Sequence, residues 1–362
     1  MGFISVKTYN FRNLTDQELL LKEKDIFLIG ENGQGKTNFL EAVYLLCYGS
    51  SFRTKEERLL YRYGEREMSV SGVYRIDNEY EIDVKVKSEG GRKGITVDGK
   101  TVADRKDLIK NIPCIVFSHE DIEFVKGPPC KRRQFFNQVL SLHDPFLIEE
   151  MRRYRKVVRN RNILLRDGVN DDLEAYDYQL ALNGLEIQRK RKSTVDEFNS
   201  TFKSVFANIS KTGDKLKIVY APSWKNLSLV EEVMDFLRKK RKDDTERGVS
   251  TTGPHRDRFY YIIHGKDFSK TASTGQLRLI SLVLRVSQAV FFLEKTGKKP
   301  ILLIDDVLLE LDPAKKERFI ESLPSYEQAF FTFLPEENIL RYYSGKKLIF
   351  DVKNGNIIKR GV

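Results

Sequence analysis

The period of apolar and polar positions changes several times along the chain. Asp25-Ile26-Phe27-Leu28-Ile29-Gly30 is an apolar run closed by glycine and predicts a buried strand, with other short strands in residues 3–30. From Lys36 the period becomes helical: Phe39, Leu40, Ala42, Val43, Leu45 and Leu46 define one broad apolar face. Residues 68–103 alternate with period two, through Val70, Gly72, Tyr74 and Ile76, then Tyr80, Ile82, Val84 and Val86. Asp77-Asn78-Glu79, Gly90-Gly91 and Asp98-Gly99 punctuate these runs, which predicts hairpins and an antiparallel sheet. Another apolar strand is expected at 112–117. From about 130 to 242 long helical segments follow, and no sustained heptad marks a coiled coil. After Gly248 mixed signals return: an apolar helix over 276–293, a buried strand at Ile301-Leu302-Leu303-Ile304, and an Asn354-Gly355 turn between two apolar runs. There is no internal repeat. The pattern predicts one α/β lobe built from 1–125 and 243–362, interrupted by a helical lobe over 126–242.

Charge adds a partner class to this outline. The 362 residues carry 63 Lys+Arg against 52 Asp+Glu, a formal charge of +11, which suggests an anionic partner such as nucleic acid or nucleotide. Three widely spaced cysteines, Cys47, Cys114 and Cys130, support neither a disulfide framework nor a zinc site and fit a reducing cytosol. The N-terminus lacks the long apolar run of a signal peptide, and no apolar stretch is expected to reach the roughly 20 residues that span a bilayer. A soluble, cytoplasmic protein without a membrane partner is expected.

Three motifs carry candidate chemistry. Gly30-Glu31-Asn32-Gly33-Gln34-Gly35-Lys36-Thr37 fills the pattern G-x-x-x-x-G-K-[ST] between a strand and a helix. Glycines let backbone N–H groups turn inward around phosphates, and the helix N-terminus favours the same anion. Lys36 is expected to reach the β- and γ-phosphates of ATP, and Thr37 to hold Mg²⁺; Asn38 completes the binding segment. In Ile301-Leu302-Leu303-Ile304-Asp305-Asp306, a strand delivers carboxylates. Asp305 is the expected metal-linked group, and Asp306 the group that orients or deprotonates water. Ser273-Thr274-Gly275-Gln276 opens an apolar helix, where a serine can serve as a plain cap or face an anion.

The order P-loop, insertion, Ser-x-Gly-Gln helix, Asp-Asp strand and Glu310-Leu311-Asp312 resembles ATP-binding cassette ATPases. Within them the chain resembles the RecF family, through Gly49-Ser50-Ser51-Phe52-Arg53, Gly127-Pro128-Pro129 with Arg132-Arg133, and Gly253-Pro254-His255-Arg256-Asp257. The resemblance spans residues 3 to about 335. It implies a P-loop ATPase head with an antiparallel β subdomain and an inserted helical lobe facing DNA or a partner. It further implies an ATP-dependent homodimer, in which Ser273, Gly275 and Gln276 of one copy meet the γ-phosphate held by Lys36 of the other. Hydrolysis would be weak and DNA-dependent. Double-stranded and gapped DNA, RecR-like and RecO-like mediators and, indirectly, RecA are the implied partners.

The chain departs from the cassette pattern in three places. Asp306 stands where glutamate is usual, Phe331-Thr332-Phe333 where a histidine is usual, and Ser118-His119-Glu120-Asp121 where a glutamine is usual. For DNA, the candidate contacts are Arg152, Arg153 and Lys156, in a stretch with seven Lys/Arg and no acid over 151–166. Arg189 and Lys190 of the cluster at 189–192, and a further cluster at 238–242, are also candidates. A transporter ATPase subunit and an SMC-like complex are the competing readings. The basic helical insertion argues against the first, and the missing heptads against a long-coiled organiser.

Overall fold

The computed structural model describes residues 2–76, 80–102, 104, 106–168, 172–309, 311–336 and 345–361. The expected turn at Asp77-Asn78-Glu79 and the position of Glu310 lie outside them. The chain forms two compact units, Met1–Glu120 with Gln288–Val362, and Asp121–Ser287.

The first unit stacks two six-stranded sheets on the helix Lys36–Tyr48. One sheet runs, in spatial order, Gln17–Leu20, Gly2–Tyr9, Glu67–Arg75, Glu81–Glu89, Arg92–Val97, Lys100–Thr101, all antiparallel. The period-two residues explain it: Val70, Tyr74, Ile82, Val84 and Val86 turn inward and are buried. Its tight turns carry positive φ at Asp98 (49°) and Gly99 (74°), as their residue types allow.

The second sheet orders Asn356–Lys359, Lys347–Lys353, Asp25–Ile29, Gln328–Phe333, Ile301–Ile304, Cys114–Phe117. It is parallel except for its terminal hairpin. A parallel sheet covered on both faces needs apolar residues on both, hence the continuous runs in the sequence. Ile26, Leu28, Leu303 and Phe330 join the core beneath the helix. On the other face Phe27 stacks on Phe331 at 5.2 Å between ring centroids. The helix is buried around almost its whole circumference, including Glu41, so the single apolar face expected for it is too narrow a description.

The second unit is mainly helical: Pro129–His143, Phe146–Asp167, Leu173–Ser210 and Val230–Arg247. The third of these has 38 residues and extends about 57 Å at 1.5 Å per residue. Two buried ionic hubs lock the unit. Arg161 donates to Asp177 (2.6 Å) and Asp244 (2.7 Å), and Arg191 donates to Asp257 (2.7 Å).

The unit is not purely helical. Lys217–Ala221 pairs with Arg258–Ile263, which pairs with Lys266–Asp267. This corrects the expected boundaries: residues 243–287 group with the second unit, because Arg258–Ile263 packs on the helix Pro129–His143 and Asp257 binds side chains of Leu173–Ser210. The helix Thr274–Thr296 overturns the expectation that no apolar stretch reaches bilayer length. By length and composition it does, over 23 residues. Most of it is buried inside the protein, as in a core helix.

Candidate functional site

Parallel register brings the chemical motifs of the first unit to one edge. Ile29 ends its strand beside Phe333, and Ile304 lies beside Phe331. Gly30, Thr332 and Asp305 therefore meet at the carboxyl ends of neighbouring strands, where open α/β sheets bind ligands.

The P-loop leaves its strand tightly. A Cβ on Gly30 would stand 2.3 Å from the Val352 carbonyl oxygen, so glycine is required there. Gly33 and Gly35 have φ of 78° and 117°, which turns the loop over the helix N-terminus. Glu31, Asn32 and Gly33 are exposed, Gln34, Thr37 and Asn38 are half-buried, and Gly35 and Lys36 are buried. The Lys36 ammonium donates to the carbonyls of Gly30 (2.6 Å) and Glu31 (3.1 Å), which holds it over the loop.

Thr37 Oγ1 donates to Asp305 Oδ1 at 2.9 Å. Burial first, then the neighbouring charge of Asp306, pushes the Asp305 carboxyl up from 3.8 to about 6. Hydrogen bonds from Thr37 and Thr332, and the more distant Arg53, offset this only in part. Asp306 has φ of 50°, a left-handed geometry that aspartate tolerates, and its carboxylate meets Thr332 on the neighbouring strand.

Sequence reasoning missed the residue joining these carboxylates. The buried Thr332 hydroxyl accepts from the Asp306 N–H (2.8 Å) and has one proton to share between Asp305 Oδ1 (3.1 Å) and Asp306 Oδ1 (2.9 Å). It lies within Phe331-Thr332-Phe333, the stretch without the histidine usual in the cassette pattern.

Other residues brace the loop. Asn13 donates to the Gly33 carbonyl (3.2 Å) and accepts from Asn38 Nδ2 (2.7 Å). Arg53 donates to Asn38 (2.8 Å), and Arg12 forms a two-pronged pair with buried Glu41, 2.9 Å on each arm. The Asn354-Gly355 turn donates to the Gln34 side chain (2.6 Å) and carbonyl (2.8 Å). Its Asn-Gly signature was legible; its docking on the P-loop was not.

In the second unit, Ser273, Thr274, Gly275 and Gln276 are exposed. Ser273 N–H donates to Gln276 Oε1 (2.9 Å) and Gln276 N–H to Ser273 Oγ (3.3 Å), a reciprocal capping box. Gln276 thus has a local structural partner. Asp312 caps the helix Pro313–Glu321 by accepting from Lys315 N–H at 2.9 Å.

The three stretches that carried the resemblance act mainly as scaffolding. Arg132 reaches the Phe259 carbonyl (3.0 Å), and Arg133 the Asp257 carbonyl (2.8 Å). His255 donates from Nε2 to the Ser250 carbonyl (3.0 Å) and accepts at Nδ1 from Tyr154 (2.7 Å). Burial lowers it to about 4, so it is a neutral structural histidine at physiological pH. Asp121, at the Ser118–Asp121 junction, pairs with Arg285 at 2.7 Å.

The basic clusters divide sharply. Arg152, Arg153 and Lys156 are exposed on one helix, and so is Arg189, which pairs with Glu186 (2.7 Å). Lys190 is instead tied to Asp144 and Glu150, 2.8 Å each, and Arg191 is buried. In the cluster at 238–242, Arg238, Lys240 and Arg241 each pair with a carboxylate. A run of like charge in sequence becomes a set of ties wherever helices cross.

Residues 3–350 match the RecF/RecN/SMC N-terminal domain family. The chain is 43% identical over 348 residues to the DNA replication and repair protein RecF of Treponema pallidum (strain Nichols), covering 96% of this chain and 98% of the relative. Against RecF of Clostridium novyi (strain NT) it is 32% identical over 360 residues, covering 98% of each. A solved structure of the recombination mediator protein RecF with ATP, in the RecFOR pathway, matches with TM-score 0.90 at 30% identity, over 99% of this chain and 98% of that one. The SMC head bound to the C-winged helix domain of ScpA matches with TM-score 0.60 at 14% identity, over 100% and 98%, a likeness of fold alone. The chain belongs to the RecF family of DNA replication and repair proteins, within the RecF/RecN/SMC group.

Proposed function

We propose that ATP, with Mg²⁺, closes two copies of this chain head to tail on DNA, and that slow, DNA-stimulated hydrolysis releases them. One observation carries the reading: Lys36, Thr37, Asp305 and Thr332 converge at the mouth of a glycine loop and a helix N-terminus. The loop N–H groups and Lys36 bind the phosphates. Thr37 and Asp305 suit Mg²⁺, because burial and the neighbouring Asp306 raise the proton affinity of the Asp305 carboxylate and a divalent cation relieves that cost. When bound, Mg²⁺ would neutralise charge on the phosphate oxygens. Asp306 holds the attacking water and takes its proton, and Thr332 fixes the carboxylate's direction.

Exposure of Ser273 and Gly275 suits a role on the neighbouring copy's γ-phosphate. Gln276 contributes by holding Ser273 in place. The expected DNA partners are duplex and gapped forms, with RecR-like and RecO-like mediators, RecA downstream and a cytoplasmic location. Family membership across most of the chain favours this over a transporter subunit. The test is ATP turnover with and without gapped duplex. Lys36→Met should abolish turnover, whereas turnover equal to wild type would place hydrolysis elsewhere.

A further inference from the structure

The clusters at 189–192 and 238–242 are largely consumed by ion pairs, but three arginines outside any run are not. Arg247 closes the helix Val230–Arg247, Arg256 ends a short turn after Pro254, and Arg258 opens the strand Arg258–Ile263. All three line one cavity of about 480 Å³ in the second unit, together with Ala221, Pro222 and Val249. All three are exposed, and no acidic side chain lines the cavity. Among the described residues none of the three has a carboxylate within ion-pairing distance. Arg256 makes only long contacts, 3.3 and 3.4 Å, to the Ser250 carbonyl. The nearby acids are engaged elsewhere: Asp257 by Arg191, Asp244 by Arg161, Asp243 by Lys240.

Three guanidiniums that share one cavity repel one another, and the nearby carboxylate that Arg247 feels, Asp243, is exposed and already held by Lys240, so an anion in the cavity lowers the cost. Each is a fork of N–H donors that matches phosphate oxygens in pairs. The lining has no aromatic ring on which a base could stack, which favours backbone over base recognition. We infer that Arg247, Arg256 and Arg258 form a binding site for the phosphodiester backbone of duplex DNA. The inference rests on the DNA reading above and deepens it: binding here is independent of sequence, and is distinct from the helix face carrying Arg152, Arg153 and Lys156.

The test is the salt dependence of binding to a duplex of about 30 bp, between about 50 and 200 mM salt. It compares wild type, Arg247→Gln/Arg258→Gln, and the triple variant that adds Arg256→Gln. Trp224, which donates to Thr252 beside the cavity, reports by its fluorescence that the region stays folded. Each lost phosphate contact lowers the slope of log K against log salt by about 0.9, so the double variant should lose about 2 and the triple nearly 3. ATP affinity should not change. If wild type binds duplex and the triple variant matches its slope and affinity, this site is wrong while the DNA reading stands. If wild type binds no duplex at any salt, both fall. If a glutamate-rich peptide binds wild type but not the triple variant while DNA binding is unaffected, the site serves protein carboxylates and the inference is overturned.

Discussion

Replacing Asp305 with asparagine should stabilise the nucleotide-free first unit while destroying its use. The carboxyl is raised from 3.8 to about 6 by burial and by Asp306. A folded state that holds this proton more tightly than the unfolded chain loses stability as pH rises from 3.8 to about 6, and is fully penalised above that. At about 1.4 kcal/mol per unit, the penalty at pH 8 is about 3 kcal/mol. Asp305→Asn removes it but keeps an oxygen to accept from Thr37 or Thr332. Partial access of the carboxylate to water and the poorer fit of an amide reduce the expected gain to about 1 to 3 kcal/mol.

The single tryptophan, Trp224, lies in the other unit, so amide exchange in Ile301–Ile304 is the appropriate probe. The gain should be present at pH 8 and absent near pH 4, where the wild-type carboxyl is itself neutral. ATP·Mg²⁺ affinity should fall at pH 8. No gain at pH 8, or an equal gain at both values, would refute the electrostatic account of this site.

Thr332→Val removes the hydroxyl shared by the carboxylates; turnover should fall roughly tenfold with ATP affinity unchanged, the size of one lost hydrogen bond in the barrier. Gly355→Ala would place a Cβ 1.8 Å from the Asn13 carbonyl oxygen at φ of 79°, so the turn should lift from Gln34 and ATP affinity should fall, by titration calorimetry. Arg161→Met takes a buried guanidinium from both acids of the second unit, leaving Asp177 to Arg241 and Asp244 to the neutral donors of Thr251. It should cost about 3 to 5 kcal/mol in urea unfolding followed by Trp224 fluorescence, with amide exchange in the first unit unaffected.

The antiparallel sheet and the P-loop strand and helix were legible because period, turn chemistry and glycine spacing are local signals. Thr332 was not: its importance arises from parallel register, which places residue 332 beside residue 305 only after folding. Arg12, Asn13 and Glu41 likewise brace the loop from positions that no linear motif marks, and the Asn354-Gly355 turn was legible as a turn but not as a brace. The helical lobe was legible as helices, but its limits were not, since the strand Arg258–Ile263 joins it through tertiary pairing with Lys217–Ala221. Charge runs misled most. Lys190, Arg191 and Arg241 look like surface cations in sequence, yet they tie crossing helices together, whereas Arg247, Arg256 and Arg258 converge from separate elements.

Solution mass with and without ATP·Mg²⁺ tests the central claim most directly, on wild type, Lys36→Met and Ser273→Arg, with gapped duplex titrated alongside. On the proposal that Lys36 grips the nucleotide in one copy while Ser273 meets it from the other, ATP should convert monomer to dimer and raise DNA affinity in wild type alone. A wild type that stays monomeric with ATP and binds DNA equally without it would contradict the account.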